Sequence, residues 1–163
     1  MLTRRRFAGT SFAALLAAVT IPRSYAADTA MKFEITKTAD AWRKELAKEV
    51  FHVMREHGTE RPFSSPLDTN KAAGVYNCAA CDLPLYASET KFDSGTGWPS
   101  FWKPLDNAVG ESKDNTLFQT RTEIHCRRCG GHLGHSFPDG PKPTGLRYCM
   151  NGVALKFVPK AAA

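Results

Sequence analysis

The sequence predicts a mainly β domain, with one N-terminal helix followed by antiparallel sheets. Three observations predict it. Gly and Pro, 12 and 10 in number, are concentrated after residue 57, which favours turns and short strands over a helical bundle. Several stretches in the second half alternate apolar and polar residues with period two, the strand signature. Two CxxC pairs, Cys78/Cys81 and Cys126/Cys129, stand 44 residues apart, and a metal shared between them would clamp two sheet segments. A chain of 163 residues suits one domain.

The first 26 residues read as a targeting segment rather than part of the fold. Thr3-Arg4-Arg5-Arg6-Phe7 is a twin-arginine pattern, an apolar run follows to about Ile21, and Ser24-Tyr25-Ala26 offers a small-x-small cleavage site. The apolar run is shorter than the ~20 residues that span a bilayer. An uncleaved anchor is therefore the weaker alternative, and no stable membrane anchor is expected after cleavage. A twin-arginine signal implies export after folding, hence a periplasmic protein whose metal is loaded before it meets an oxidising compartment. The formal net charge of +6 includes four arginines and no acid in residues 1–26, which leaves +2 for the rest. So balanced a body argues against nucleic-acid binding.

Residues 27–37 read as a tether. From Thr38 the apolar residues Trp42, Leu46, Val50, Val53 and Met54 recur at spacings of three and four, with Lys44, Glu45, Lys48, Glu49, Arg55 and Glu56 opposite. This predicts one amphipathic helix, capped by Thr38 or Asp40 and ended by a left-handed Gly58. His52 and His57 read as solvated, helix-end histidines. A strand over Gly74–Asn77 enters the first CxxC and another, Leu83–Ala87, leaves it. Lys91–Lys103 is rich in aromatics and turns. Leu117–His125 alternates, with Phe118, Thr120, Thr122 and Ile124 on one face and Gln119, Arg121, Glu123 and His125 on the other. Arg147–Val158 alternates as a single last strand.

Four thiolates from two CxxC turns match the tetrahedral preference of zinc, with no coordination position left open, so the metal is expected to be structural. Arg127 and Arg128, inside the second knuckle, would offset the negative charge. Two disulfides are the alternative reading for an exported protein. Cys149 is then the odd cysteine. On an extended strand Arg147, Cys149 and Asn151 share a face, where the arginine would favour the reactive thiolate and the amide could hold a polar substrate group. His132 and His135 lie three apart in a Gly-rich segment just past the knuckle. Imidazoles supply protons near neutral pH, and zinc ligation by these two would require a free CxxC. Trp98, after the Ser94-Gly95-Thr96-Gly97 turn, reads either as core or as the wall of an apolar pocket.

Taken together, CxxC…CxxC, SGTGWPSF, CGGHLGH and GLRYCMNG resemble the B-type methionine sulfoxide reductases over roughly Asp40 to Val158. The resemblance implies a reductase domain over residues 38–160 built from two antiparallel sheets, tent-like, with one structural zinc on Cys78, Cys81, Cys126 and Cys129, away from the active site. It implies reduction of the R epimer of methionine S-oxide in oxidised proteins. Cys149 would be the nucleophile and His132 and His135 the groups that bind and protonate the sulfoxide oxygen. Trp98 would receive the substrate methyl, and Arg147 and Asn151 would shape the site. Two departures stand out. Many family members carry a resolving cysteine where this chain has Thr96, so the sulfenic acid on Cys149 is expected to be reduced by an external, thioredoxin-like thiol. Gly152 stands where the family often has Ser. The competing class is a zinc-stabilised binding module with a passive Cys149.

Overall fold

A computed structural model describes residues 32–116 and 120–161; the expected targeting segment, residues 27–31 of the tether and residues 117–119 of the strand expected over Leu117–His125 lie outside them. Among the described residues no helix is long and apolar enough to cross a membrane.

The amphipathic segment folds as two helices rather than one, α1 (Ala39–Glu45) and α2 (Lys48–Glu56). Thr38 caps the first, its hydroxyl accepting from the Ala41 N–H at 3.2 Å. Leu46 and Ala47 are extended between the helices. The break reorients the second helix, so that Phe51 joins Trp42, Val53 and Met54 in the core while Leu46 and Val50 stay only partly covered. A single 3.6-residue period could not show this. The left-handed residue that ends α2 is His57 (φ 55°), not Gly58.

Among the described residues, nine strands form two antiparallel sheets. The smaller has the order β2–β1–β9, from Gly74–Cys78 (β1), Pro84–Ala87 (β2) and Leu155–Pro159 (β9). The larger has the order β3–β4–β8–β7–β6–β5. Its strands are Lys91–Phe92 (β3), Ser100–Phe101 (β4), Val109–Asp114 (β5), Arg121–Cys126 (β6), His132–Phe137 (β7) and Arg147–Met150 (β8). The predicted last strand is therefore two strands in different sheets. Asn151 and a 3₁₀ turn at Gly152–Ala154 carry the chain from β8 to β9. Both halves alternate, and alternation alone cannot reveal a change of sheet.

Apolar residues of both sheets meet in one core. Tyr86 stacks on Phe101 with centroids 4.3 Å apart, Tyr76 meets Phe101 edge-on at 5.0 Å, and the Tyr86 hydroxyl donates to the Met150 sulfur at 3.1 Å. Leu85, Ile124, Leu133 and Met150 are fully buried around them. The core fills one face of the larger sheet, and the opposite face carries the polar groups described next.

Candidate active site

The two CxxC turns meet. Cys78 Sγ lies 3.8 Å from Cys129 Sγ and Cys81 Sγ 3.5 Å from Cys126 Sγ, and all four sulfurs fall within 4.8 Å of one another. Four thiolates at 2.3 Å from a tetrahedral zinc would stand about 3.8 Å apart, so the cluster fits a metal. Backbone N–H groups of Leu83 and Gly131 face Cys81 and Cys129, the kind of outer support that thiolate ligands receive. None of the five cysteines is joined to another. Arg127 and Arg128 turn mainly to Glu34 (2.8 and 3.7 Å), and Arg128 also donates to the Cys81 carbonyl at 3.3 Å.

The fifth cysteine lies elsewhere, on β8. Antiparallel register sets Cys149 opposite His135 on β7 and opposite Ser100 on β4, and sets Arg147 opposite Phe137. Directly opposed residues project from the same face. Three apart on a regular strand, His132 and His135 would point to opposite faces. A bulge prevents this: Ile124 pairs with Gly134 and His125 with His132, which leaves Leu133 as the extra residue. Leu133 turns into the core, and the two imidazoles come together with centroids 5.3 Å apart. Gly134 lets β7 approach β8, since a Cβ there would stand 2.1 Å from the Cys149 carbonyl oxygen.

A cavity of about 130 Å³ opens over this face, lined by Thr59, Trp98, Arg121, His135, Phe137, Cys149 and Asn151 among others. Drug-sized pockets run to ~300–1,000 Å³, so this one suits the tip of a side chain. A larger groove of about 690 Å³ beside Phe63 and Lys91 has no cysteine or histidine in its lining. The Thr96 hydroxyl stands 3.9 Å from Cys149 Sγ, held there by a turn with positive φ at Gly95 and Gly97. Position 96, where the resemblance leads one to expect a resolving cysteine, thus abuts the sulfur and presents a hydroxyl.

Burial pushes the Cys149 thiol above its ordinary value, and contacts with Thr96, Arg147 and Ser100 pull the other way without overcoming it. The arginine does act as expected, but its main partner is Asp139, held by two bonds of 2.8 and 2.9 Å. In the open cavity the sulfur therefore rests as a thiol. His135 is pushed below the usual imidazole value by burial, against the Asp114 carboxylate that accepts at 2.8 Å from its Nε2. His132 donates through Nδ1 to Glu123 at 2.7 Å, which leaves Nε2 as the ring nitrogen for a substrate. The Glu123 carboxyl is raised by burial but held down to about 2 by its bonds to His132 and Ser112.

Four contributors escaped the sequence reading. Asp114 and Glu123 hold the two imidazoles, and Arg121 pairs with Asp114 at 2.6 Å. Glu60 ties together the groups that wall the cavity. Its carbonyl accepts from Trp98 Nε1 (3.2 Å) and its N–H donates to Asn151 Oδ1 (3.0 Å). Its carboxylate accepts from the N–H groups of Gly152 (2.6 Å) and Val153 (3.0 Å). Asn151 also donates to the Leu133 carbonyl at 3.1 Å, so both ends of its amide are engaged within the protein. It braces the site while still lining the cavity, and these bonds leave its second amide N–H for a substrate. His57, expected to be merely solvated, stands 3.0 Å from Glu123. Where a serine at Gly152 would place its Cβ, Ser65 Oγ lies at 2.0 Å, so Ser65 fills the space that this departure leaves.

Comparison with known proteins decides the family. Residues 46–159 match the SelR domain. The chain belongs to the SelR-domain family. Relatives of this SelR domain include proteins named peptide methionine sulfoxide reductase MsrB. That of Agrobacterium fabrum (strain C58 / ATCC 33970) is 54% identical over 127 residues, 77% of this chain and 94% of the relative. Those of Pseudomonas putida (strain W619) and Leptospira interrogans serogroup Icterohaemorrhagiae serovar Lai (strain 56601) are 53% and 50% identical over 131 and 128 residues. They cover 80% and 78% of this chain and 98% of each relative. The shared region contains the two CxxC turns and all the cavity residues.

Proposed function

We propose that this protein is a peptide-methionine (R)-S-oxide reductase that repairs oxidised methionine residues in proteins. The observation that carries the reading is the pairing of Cys149 with His135 at a small cavity walled by Trp98 and Phe137. The MsrB relatives supply the substrate class.

Trp98 and Phe137 receive the methyl group, and the sulfinyl oxygen turns toward His132 and His135. A sulfoxide sulfur is a poor electrophile until its oxygen takes a proton, so hydrogen bonding by the imidazoles and attack by sulfur must be coupled. Transfer of the Cys149 proton toward the oxygen, relayed by an imidazole, forms the thiolate when the substrate is in place. Arg147 and Thr96 stabilise that charge. The Cys149 sulfur attacks the substrate sulfur, and the protonated oxygen then passes to Cys149 as the substrate's S–O bond and the transient S–S bond both break, which frees methionine and leaves Cys149 as the sulfenic acid. Substrate sulfur gains two electrons and Cys149 sulfur loses two. An external dithiol, such as a thioredoxin-like domain, then returns Cys149 to the thiol, forming its own disulfide and one water. Arg147 is bound to Asp139, and Asn151 and Glu60 brace the wall, so these residues position the reacting groups.

The four-cysteine cluster would hold one structural zinc, which pins β1 to the β6–β7 turn and leaves the chemistry to Cys149. The twin-arginine segment would direct the folded protein to the periplasm, with residues 27–37 as a tether. Turnover of separated R and S epimers with a dithiol reductant tests the reading. Wild type should reduce the R epimer only, and Cys149→Ser neither. Mass spectrometry after a single turnover without reductant should find one added oxygen on Cys149. An intramolecular disulfide at that residue would contradict the external-reductant step.

A further inference from the structure

We propose that His57, Glu123 and His132 form a second, inhibitory binding site for a divalent transition-metal ion of the Zn2+ type. That it inhibits rests on the reductase reading, whereas that it binds does not.

Glu123 Oε1 lies 2.7 Å from His132 Nδ1 and 3.0 Å from His57 Nδ1, and the three atoms fall within 4.8 Å of one another. Two imidazole nitrogens and one carboxylate oxygen around a single point are a donor set that zinc takes at ~2.0–2.1 Å with one position left for water. Tetrahedral ligands at that range stand about 3.3 Å apart. The two carboxylate–imidazole edges need to open by only a few tenths of an ångström. The two imidazole nitrogens already stand within 4.8 Å of each other, with His57 free to adjust, and a cation replaces the protons that now bridge the trio.

The rest of the site is built for such an ion. Glu123 Oε2 accepts from the Ser112 hydroxyl at 2.6 Å, which fixes the carboxylate plane as outer-shell partners of metal ligands do. His132 is 2% exposed and Glu123's side chain 14%, so two ligands are rigidly framed, while the His57 side chain is 65% exposed and opens the way in from solvent. His57 sits at the left-handed end of α2, where the Gly58 N–H closes the turn on the His52 carbonyl at 3.0 Å. The nearby cation Arg121 is occupied by Asp114 at 2.6 Å.

A bound ion would take the oxygen that aligns His132 and would set positive charge on the imidazole whose centroid lies 5.3 Å from that of His135. Sulfoxide protonation depends on these rings, so turnover falls as the free metal concentration rises. The donor set favours borderline ions such as Zn2+, Co2+ and Ni2+ over Mg2+ and Ca2+, which prefer oxygen.

The test is Zn2+ titration of the purified holoprotein, with its four-cysteine cluster loaded, by calorimetry and metal analysis after dialysis. Wild type and Cys149→Ser should each take up one further ion. His57→Asn, which tolerates the left-handed backbone, should keep the cluster metal and lose the second. Ser112→Ala should weaken the second ion by about 10- to 100-fold. In the active enzyme, zinc should inhibit wild type at the concentration at which the second ion binds, and should fail to inhibit His57→Asn there. No second ion, an ion that persists in His57→Asn, or one that disappears in Cys149→Ser would each overturn the site. If the protein reduced no sulfoxide yet bound the second ion, only the inhibition would fall.

Discussion

Five cysteines of one chain face two very different surroundings. Cys78, Cys81, Cys126 and Cys129 converge with their sulfurs within 4.8 Å, on the side where the small sheet meets the knuckle after β6. Cys149 stands apart on β8, with a hydroxyl at 3.9 Å and a histidine opposite. In the cluster each sulfur's neighbours are other sulfurs, so the group acts as one clamp and no member is free to react. At Cys149 the neighbours are donors, an imidazole and a small cavity. Reactivity is assigned by what surrounds a thiol, and here the two environments are kept on different strands.

The sharpest way to break this contrast is to exchange the effects. Cys149→Ser should lower turnover by at least about 10⁴-fold, as expected when a nucleophile is removed, and leave the melting temperature and metal content unchanged. Cys126→Ser should do the opposite in kind: the metal is lost and the fold with it, because structural metal binding is folding free energy of on the order of 10 kcal/mol. Thermal melts and metal analysis of both variants check the pair. A Cys126→Ser protein that stayed folded without metal would show that the clamp is dispensable.

Glu60 lies between the two extremes, since it touches neither the cluster nor the cysteine but braces Trp98 and the chain just after β8. Glu60→Ala leaves the Gly152 and Val153 N–H groups without acceptors, at a cost of about 1–3 kcal/mol. It also lets the cavity wall shift. We expect kcat/KM to fall by about 10- to 100-fold with the Cys149 thiol still reactive to a small alkylating agent. Glu60→Gln keeps one acceptor and should recover part of both losses. Equal loss in the two variants would mean that the carboxylate's pair of bonds matters less than its charge.

The acid–base groups sharpen the comparison further. Cys149 is held above its ordinary 9.0 and His135 below its ordinary 6.5, each first by burial. Between those values the resting pair is thiol and neutral imidazole, which carries the same number of protons as thiolate and imidazolium. The kcat/KM profile should therefore be a bell with a broad plateau. Its acid limb lies below 6.5, where an extra proton on His135 opposes thiolate formation, and its base limb lies above 9, where the proton is lost. The Asp114 bond raises the His135 value, so Asp114→Asn should move the acid limb to still lower pH and leave the base limb in place. Asp114 itself is held below the usual carboxylate range, chiefly by Thr116 and then His135. Its contribution to stability is present above its unfolded value near 4 and is lost as pH falls, so acid melts of Asp114→Asn should show a weaker pH dependence below 4.

Much of this was legible in the sequence. The paired CxxC turns, the odd cysteine and the alternation of β6 are local patterns, and each element formed where its pattern lay. What the sequence hid depends on long-range geometry. The β7 bulge, which turns His132 to the same face as His135, appears only in the register with β6. Asp114 drew no reading at all, and Glu123 read as an ordinary alternating charge, although it lay on the face opposite Ile124 and was in that sense exposed to view. Glu60 gave no signal, because its role is made by backbone groups 92 and 93 residues away. The α1–α2 break and the division of the last strand share one cause: periodicity reports which side of a chain is apolar, and does not report which partner covers it.

The smallest expected effect sits on the clamp side. Thr38 caps α1, which carries Trp42; the guanidinium of Arg55 lies 3.9 Å over that ring and donates to the Cys129 carbonyl at 2.9 Å. Thr38→Ala removes one cap bond, worth about 1 kcal/mol, and should lower the melting temperature by a few degrees. The loss should pass no further than the helix pair and the knuckle it supports, so kcat/KM should stay within about twofold of wild type. A measurable fall in turnover at unchanged metal content would mean that strain on the knuckle reaches the imidazoles through β6 and β7, the two strands that join the cluster to the cavity. The division between the two thiol environments would then be one of position only, with mechanical coupling across the sheet.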